Sequence, residues 1–189
     1  LFLPIKAAID RDRRPAGFVL TGSSDLLRLP RTPDSLAGRA VTVNLRGFSQ
    51  GEIHATSDDL VSRLQGGSDP AEFRTEVTRQ GYCAAIAQGG YPDVQTLTSR
   101  LRNSWLDSYI ERLLQRDASD IAPRVDPARL ASVLRLIAGN QAGELVKARI
   151  ARDASVPETS VTAYLDLLTT MYLTDSLRPW TPNLTSREA

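Results

Sequence analysis

The chain has 189 residues, 41% of them hydrophobic and 24% charged, with 23 Lys plus Arg against 22 Asp plus Glu. This composition excludes a disordered chain and suits one globular domain or two small ones, while the balanced charge gives no indication of a nucleic-acid partner. A single cysteine and a single histidine exclude an internal disulfide framework, a cysteine-based zinc cluster and most other metal sites. No apolar run approaches the roughly 20 residues that span a membrane, and no signal-peptide pattern occurs, so we expect a cytoplasmic protein without membrane contact.

The first third of the chain is predicted to contain short helices and two buried strands. Apolar spacing predicts a short helix over residues 3–9. Residues 18–20 are apolar on both faces, which is typical of a buried parallel strand, and residues 40–45 predict a second strand. Between the strands, residues 24–29 and 33–38 each predict a helical turn or two.

From Asp58 onward the pattern is helical, with Gly and Pro clusters between the segments. Apolar residues recur at helical spacing over 60–64, 73–86, 101–114, 130–137, 145–150 and 157–171. Cys83 lies in an apolar part of one of these helices and is predicted to be a buried small hydrophobe. The last two helices flank a tight turn at residues 154–157, and residues 172–180 predict a short hairpin. Helix, turn, helix and hairpin are the layout of a winged helix-turn-helix.

Short motifs follow one another along the chain in a characteristic order. They are residues 18–24 (FVLTGSS), 35–39 (SLAGR), 47–49 (GFS) and 89–93 (GGYPD), then Arg102-x-x-Trp105-x-x-x-Tyr109 and Arg116–Asp117. In this combination, which covers most of the chain, the sequence resembles the prokaryotic AAA-superfamily P-loop ATPases that carry a C-terminal domain of unknown function. The resemblance implies a phosphate loop and an acidic magnesium-binding strand before residue 1. It also implies a restriction-endonuclease-like domain after residue 189.

The resemblance also implies a fold and a domain organisation. We expect a mostly α chain with a small α/β remnant, in which two parallel strands from the P-loop ATPase core precede a helical region and a winged helix-turn-helix. Residues 1–56 would be the C-terminal part of the ATPase core, 57–125 a helical lid and 126–189 the winged-helix domain. The sequence contains neither a G-x-x-x-x-G-K-[ST] phosphate loop nor an apolar strand ending in Asp-Glu. We therefore expect an internal piece of an ATP- and magnesium-dependent protein that does not itself hydrolyse ATP.

Two candidate sites follow from the resemblance. The first is the tip formed by Thr21, Gly22 and Ser23, where a short hydroxyl would contact the γ-phosphate or orient the attacking water. The alternative is a simple turn, with Gly22 at positive φ and Ser24 as an N-cap. The second is Arg39, a candidate arginine finger acting on its own or a neighbouring subunit's nucleotide, the latter implying a homo-oligomer. The alternative is a surface arginine, unpaired or paired with Asp34.

Arg116 and Asp117 also allow more than one interpretation. An arginine there would lie near the nucleotide or a domain interface, or it would simply complement the dipole at the end of the long helix. His54 lies beside Glu52, but no nucleophile with a recognisable context accompanies them, so we predict no catalytic role.

The predicted helix-turn-helix suggests a second function, DNA binding. Its second helix would present hydroxyls to the bases and the first would contact phosphates, through Thr159, Ser160, Thr162, Lys147, Arg149 and Arg152. The second helix has no Lys or Arg and carries Glu158 and Asp166, which are unfavourable next to phosphates. This pattern favours a scaffold that packs on the ATPase core over a reader of DNA.

Overall fold

The computed structural model describes residues 2–12, 14, 17–24, 36, 38–57 and 59–177, and this part of the chain is helical with no strand. Its helices are α1 (Phe2–Arg11), α2 (Gln50–His54), α3 (Leu60–Gln65), α4 (Arg79–Gln88), α5 (Ser99–Arg112), α6 (Ala118–Ile121), α7 (Pro127–Gly139), α8 (Lys147–Asp153) and α9 (Glu158–Thr170). Short 3-10 turns occur at Pro70–Glu72 and Pro92–Val94, and a π-helical turn at Leu113–Asp117 joins α5 to α6. None of these helices is long and apolar enough to cross a membrane.

The prediction of two parallel strands is wrong. Residues 18–20 and 40–45 run without regular structure, because no neighbouring strand in the described chain offers backbone partners to either segment. Their apolar side chains are consequently exposed: Val41, Val43 and Leu45 keep 91%, 76% and 93% of their surface accessible. The side chains of residues 18–20 are accessible as well, so the burial predicted for this segment is also wrong. The helical turns predicted at 24–29 and 33–38 fall mostly on residues outside the described ranges.

Local capping chemistry explains where several helices begin. Ser49 and Glu52 form a reciprocal capping box at α2, and the Asp126 carboxylate accepts two backbone N–H groups at the start of α7. The Thr78 hydroxyl accepts from the Gly81 N–H, so α4 begins only at residue 79 and the helix predicted from residue 73 is shorter than expected. Cys83 on α4 is exposed, and its predicted burial is wrong because this helix buries none of its residues.

The chain divides into two compact units, residues 1–41 together with 111–189, and residues 42–110. In the first unit, α7, α8 and α9 pack together around a core that includes the fully buried side chains Leu130, Val133, Val161 and Leu168. In the second unit, Val94, the last residue of the 3-10 turn before α5, is fully buried.

The helix-turn-helix is present, but the hairpin that would make it winged is not. After α9, Tyr172 adopts a left-handed backbone with φ of 57°, which turns the chain out of the helix. Residues 173–177 then run without strand pairing within the described chain, so the predicted wing is absent there; residues 178–180 lie outside the described ranges. The winged-helix part of the predicted fold is therefore corrected to a three-helix packing of α7, α8 and α9.

Candidate functional site

The tip at residues 21–23 is exposed and meets a motif far away in the sequence. The Ser23 hydroxyl lies 3.5 Å from the Asp117 carboxylate, at the long limit of a hydrogen bond, although 94 positions separate the two residues. Thr21, Gly22 and Ser23 are exposed, so the described helices do not close over the tip. The first unit thus brings together two of the motifs that the sequence analysis had singled out separately.

Asp117 belongs to the π-helical turn that joins α5 to α6. Leu113 and Leu114 anchor this turn in the core, whereas Arg116 is exposed. The helical path continues beyond Asp117 to Ile121, so Arg116 does not lie at a helix end and the helix-dipole explanation for it is wrong. A π-helical turn inside an α-helix is uncommon and is found frequently at functional sites.

Arg39 is held by a carboxylate that the sequence analysis did not name. Its Nε lies 2.7 Å from Asp10 Oδ1, and the two side chains are 29% and 36% exposed. Gly38 precedes it with φ of 69°, a turn conformation that suits glycine, and the Arg39 N–H donates to the Leu36 carbonyl. Asp34, the partner considered earlier, lies outside the described residues. No feature of the α1 sequence marked Asp10 in advance, since the pair depends on how α1 packs.

In the second unit, two further motifs meet through their backbones. The Phe48 N–H donates to the Gly90 carbonyl at 2.6 Å, and a Cβ on Gly47 would lie 2.9 Å from the Gly90 carbonyl carbon. Both positions therefore require glycine for steric reasons. The GFS and GGYPD motifs form one rigid loop pair, which explains why small residues occur in both.

Three aromatic rings lie beside this loop pair. Trp105 and Tyr109 stack with centroids 5.1 Å apart, and the Tyr91 ring packs against them at 5.8 and 5.3 Å. The Trp105 and Tyr109 side chains are half-buried, and Tyr91 is 38% exposed.

Arg102, on the same helix, is the functional candidate that the sequence analysis missed. Its Nε is buried and has no hydrogen-bond partner within the described part of the chain. An unpaired buried donor costs about 1–3 kcal/mol, so such a group calls for an acceptor. The signal available in the sequence was its spacing, three residues before Trp105.

The residues proposed to contact DNA lie around the α8–α9 turn. Lys147, Arg149 and Arg152 are exposed on α8, and Arg152 pairs with Asp153 at 3.0 Å. On α9, Thr159 and Thr162 are exposed and Ser160 is half-buried. Ala154 and Val156 are buried between the helices and fix the turn, in which Ser155 has φ of 53°. The structure therefore presents these residues on the outside of one rigid helix pair.

In the described ranges, no three His, Cys, Asp or Glu side chains come together as a metal site.

Comparison with known proteins places the chain in a family. Residues 79–189, more than half of the chain, match the family model described as "Domain of unknown function (DUF8612)". The chain belongs to this family. It is also similar to the proteins named "Uncharacterized protein Mb2031c" from Mycobacterium bovis and "Uncharacterized protein Rv2008c" from Mycobacterium tuberculosis, each 26% identical over all 189 residues. The DUF8612 chain spans 37% of the length of these curated relatives. No solved structure matches it significantly.

Proposed function

We propose that this DUF8612 chain works as part of an ATP-dependent protein of the AAA superfamily, in which Thr21, Ser23 and Arg39 act beside the bound nucleotide. The observation that carries the proposal is the contact between Ser23 and Asp117. It joins the hydroxyl tip, which the family resemblance associates with the nucleotide, to the Arg116–Asp117 motif, for which a place near the nucleotide was one of the interpretations. The π-helical turn that contains Asp117 adds support, because such turns occur frequently at functional sites.

The surroundings of Arg39 suit a guanidinium that changes partner. An arginine finger must be held in place yet remain able to reach charge that develops on a phosphate. The pair with Asp10 is about one-third exposed, and ion pairs of that kind contribute at most about 1 kcal/mol. A phosphate with more negative charge can therefore compete with Asp10 for Arg39 at a small energetic cost.

The exposed apolar segments support the idea that further residues complete this region. Residues 18–20 lead directly into the tip, and residues 41–45 follow Arg39; both segments carry accessible aliphatic side chains. Large aliphatic side chains left exposed along a segment are typical of a surface that a partner covers. More than half the length of each curated relative lies outside the matched region. We propose that the nucleotide-binding part of the full-length protein covers these segments.

ATP and magnesium are the cofactors of this proposed function. Their phosphate and metal ligands would come from the rest of the full-length protein, and the 189 residues alone are expected not to turn over ATP. A cytoplasmic location accompanies the proposal, since ATP is supplied there. If Arg39 reaches a neighbouring subunit's nucleotide, the protein would also be a homo-oligomer.

The test is steady-state ATP hydrolysis by the protein as its genome encodes it, including any residues in frame with these 189. Arg39→Ala should lower kcat by about a thousandfold or more if the residue acts as a finger. Arg14→Ala is the matched control, because Arg14 also pairs with an aspartate, Asp12, but is mostly exposed. We expect Arg14→Ala to leave kcat unchanged.

A further variant separates catalysis from structure. Asp10→Asn removes the carboxylate but leaves the Arg39 guanidinium, so kcat should fall far less than in Arg39→Ala. Equal turnover in Arg39→Ala and wild type would refute the finger. An equal loss in Asp10→Asn and Arg39→Ala, with the same fall in unfolding midpoint, would mean that the pair is purely structural. Absence of ATP hydrolysis by the wild-type protein would refute the whole proposal.

A second candidate function is DNA binding by the α8–α9 pair. The observation that favours it is the rigid turn, which leaves Lys147 and Arg149 exposed on α8 and Thr159 and Thr162 exposed on α9. Against it, α9 contributes no basic residue to a duplex. The ATP-dependent role therefore remains our first proposal, with α7, α8 and α9 as its scaffold.

Fluorescence anisotropy with labelled duplex DNA at several salt concentrations tests this candidate. If Lys147 and Arg149 contact phosphates, each alanine variant should reduce the slope of log K against log salt by about 1. Arg124→Ala, a change at an exposed arginine outside the helix pair, should leave the slope unchanged. No binding at low salt would exclude DNA binding and leave the scaffold role.

A further inference from the structure

Among the residues that the structure describes, Arg102 of the second unit has a buried side-chain nitrogen without a hydrogen-bond partner. The Nε of Arg102 is buried and meets no acceptor among the described residues. By contrast, an aspartate pairs with each of four described arginines: Arg14, Arg39, Arg129 and Arg152. Arg102 is only partly accessible, so water does not fully solvate its guanidinium. A half-buried cation with a buried, unpaired donor favours an anionic partner.

Arg102 shares a helix face with an aromatic surface. Trp105 and Tyr109 follow it at spacings of three and seven residues on α5, which places the three side chains along one stripe. Tyr91 packs against both rings and is accessible to solvent. The stripe therefore combines one guanidinium with a partly exposed aromatic wall and two phenolic hydroxyls.

The loop that carries Tyr91 is held in place by hydrogen bonds. The Gln95 side-chain amide donates to the carbonyls of Gly89 and Tyr91, and the Gln88 amide donates in turn to the Gln95 side chain. On its other side, the Gly90 carbonyl accepts the Phe48 N–H. A surface that is fixed before a ligand arrives costs little ordering entropy on binding.

We propose that Arg102 and the Tyr91–Trp105–Tyr109 cluster form a binding site for a small planar molecule that carries an oxyanion. The guanidinium binds the oxyanion, a phosphate or a carboxylate, because its fork of donors matches either group. The planar part of the ligand packs on the exposed Tyr91 ring. This site lies in the second unit and is independent of the proposed nucleotide contacts of Ser23 and Arg39.

Trp105 makes the site directly observable. In a Trp180→Phe background, Trp105 is the sole tryptophan, and its fluorescence reports on ligands at the cluster. The probes are adenosine monophosphate, which offers a phosphate, and benzoate, which offers a carboxylate, each titrated into the full chain at constant ionic strength. We expect a saturable fluorescence change with at least one probe and a Kd of about 1 mM or below.

Matched variants test the role of the guanidinium. Arg102→Met should weaken binding roughly tenfold or more, since it removes a charge-assisted hydrogen bond. Arg100→Met removes an exposed arginine two positions away, on another side of the same helix, and should leave the Kd unchanged. Arg102→Lys keeps the positive charge but replaces the planar fork of donors with a single ammonium group, and should bind with intermediate affinity. Circular dichroism shows whether each variant remains folded.

Each result has a defined meaning. Binding of adenosine monophosphate alone supports a phosphate ligand, and binding of benzoate alone supports a carboxylate ligand. No saturable change with either probe up to about 10 mM, ten times the expected Kd, would overturn the proposal. Equal weakening in folded Arg100→Met and Arg102→Met would also overturn it, because nonspecific charge would then explain the binding.

Discussion

The close approach of two glycine motifs gives the sharpest stability prediction, for the substitution Gly90→Ala. A Cβ at residue 90 would overlap the Phe48 carbonyl oxygen and would lie 2.9 Å from the Phe48 nitrogen and 3.0 Å from the Gly47 carbonyl carbon. All of these are backbone atoms, so no side-chain rotation can relieve the overlap. The φ angle of Gly90 is not positive, and the predicted cost is therefore steric rather than conformational.

The expected loss of stability follows from the separation of the two backbone segments that the new Cβ forces. Separating the two backbones breaks the 2.6 Å hydrogen bond from Phe48 to Gly90, which contributes about 1 kcal/mol. Overpacking in a closely fitted region adds about 1–3 kcal/mol. We therefore expect Gly90→Ala to lower the free energy of unfolding of the second unit by about 3 kcal/mol. With a urea dependence of about 2 kcal/mol/M, the unfolding midpoint falls by about 1.5 M.

Urea unfolding followed by Trp105 fluorescence, in the Trp180→Phe background, measures this change, because Trp105 lies in the same unit as Gly90. Gly139→Ala, on α7 in the first unit and followed there by far-UV circular dichroism, is the control for alanine substitution itself: a Cβ at residue 139 meets no atom within 4 Å, and alanine favours the helix. Its midpoint should be unchanged or slightly higher. If Gly90→Ala unfolds within about 0.3 M of the wild-type midpoint, the backbone of residues 47–48 does not lie against residue 90.

Three further predictions concern packing, capping and surface. Leu168→Ala changes a fully buried side chain in α9 and should lower the free energy of unfolding by about 2–5 kcal/mol, measured by thermal or urea unfolding. A loss below about 1 kcal/mol would mean that the α7–α9 core is not packed as described. Asp126→Ala removes the carboxylate that caps α7 and should lower the free energy of unfolding by about 1 kcal/mol. Asp126→Ser should retain most of the wild-type stability, because serine also caps helices well. Equal unfolding midpoints for the wild type and both variants would show that this cap does not stabilise α7. Replacing both Val43 and Leu45 with Thr should reduce self-association, measured by sedimentation velocity, because both side chains are exposed. The unfolding midpoint should not fall, and a large fall would show that the two side chains are buried.

Much of the helical structure could be predicted from the sequence because helices form from local interactions. The apolar spacing around residues 101–114 and 130–137 predicted α5 and α7, and the tight turn at 154–157 correctly separated α8 from α9. Backbone hydrogen bonds in a helix join residues four apart, so spacing and capping residues carry most of the information. Where the capping residue was overlooked, as at Thr78, the predicted boundary was wrong.

The prediction of strands was wrong because strands, unlike helices, depend on partners elsewhere in the chain. Val41, Val43 and Leu45 have the residue types of a strand, but a strand exists only when another strand supplies hydrogen-bond partners, and the described chain supplies none. The hairpin predicted from residue 172 failed in the same way, since the left-handed Tyr172 redirects the chain after α9.

The amino-acid sequence by itself determined the helices, their main boundaries and the motifs that later proved to be neighbours. Only the tertiary structure decided which motifs meet: Ser23 with Asp117, Arg39 with Asp10, and Gly90 with Phe48. It also showed that the Nε donor of Arg102 is buried without a partner in the described chain. The physical reason is separation along the sequence, because these contacts join residues 29 to 94 positions apart. The unpaired donor depends on burial, and no local sequence pattern encodes either property.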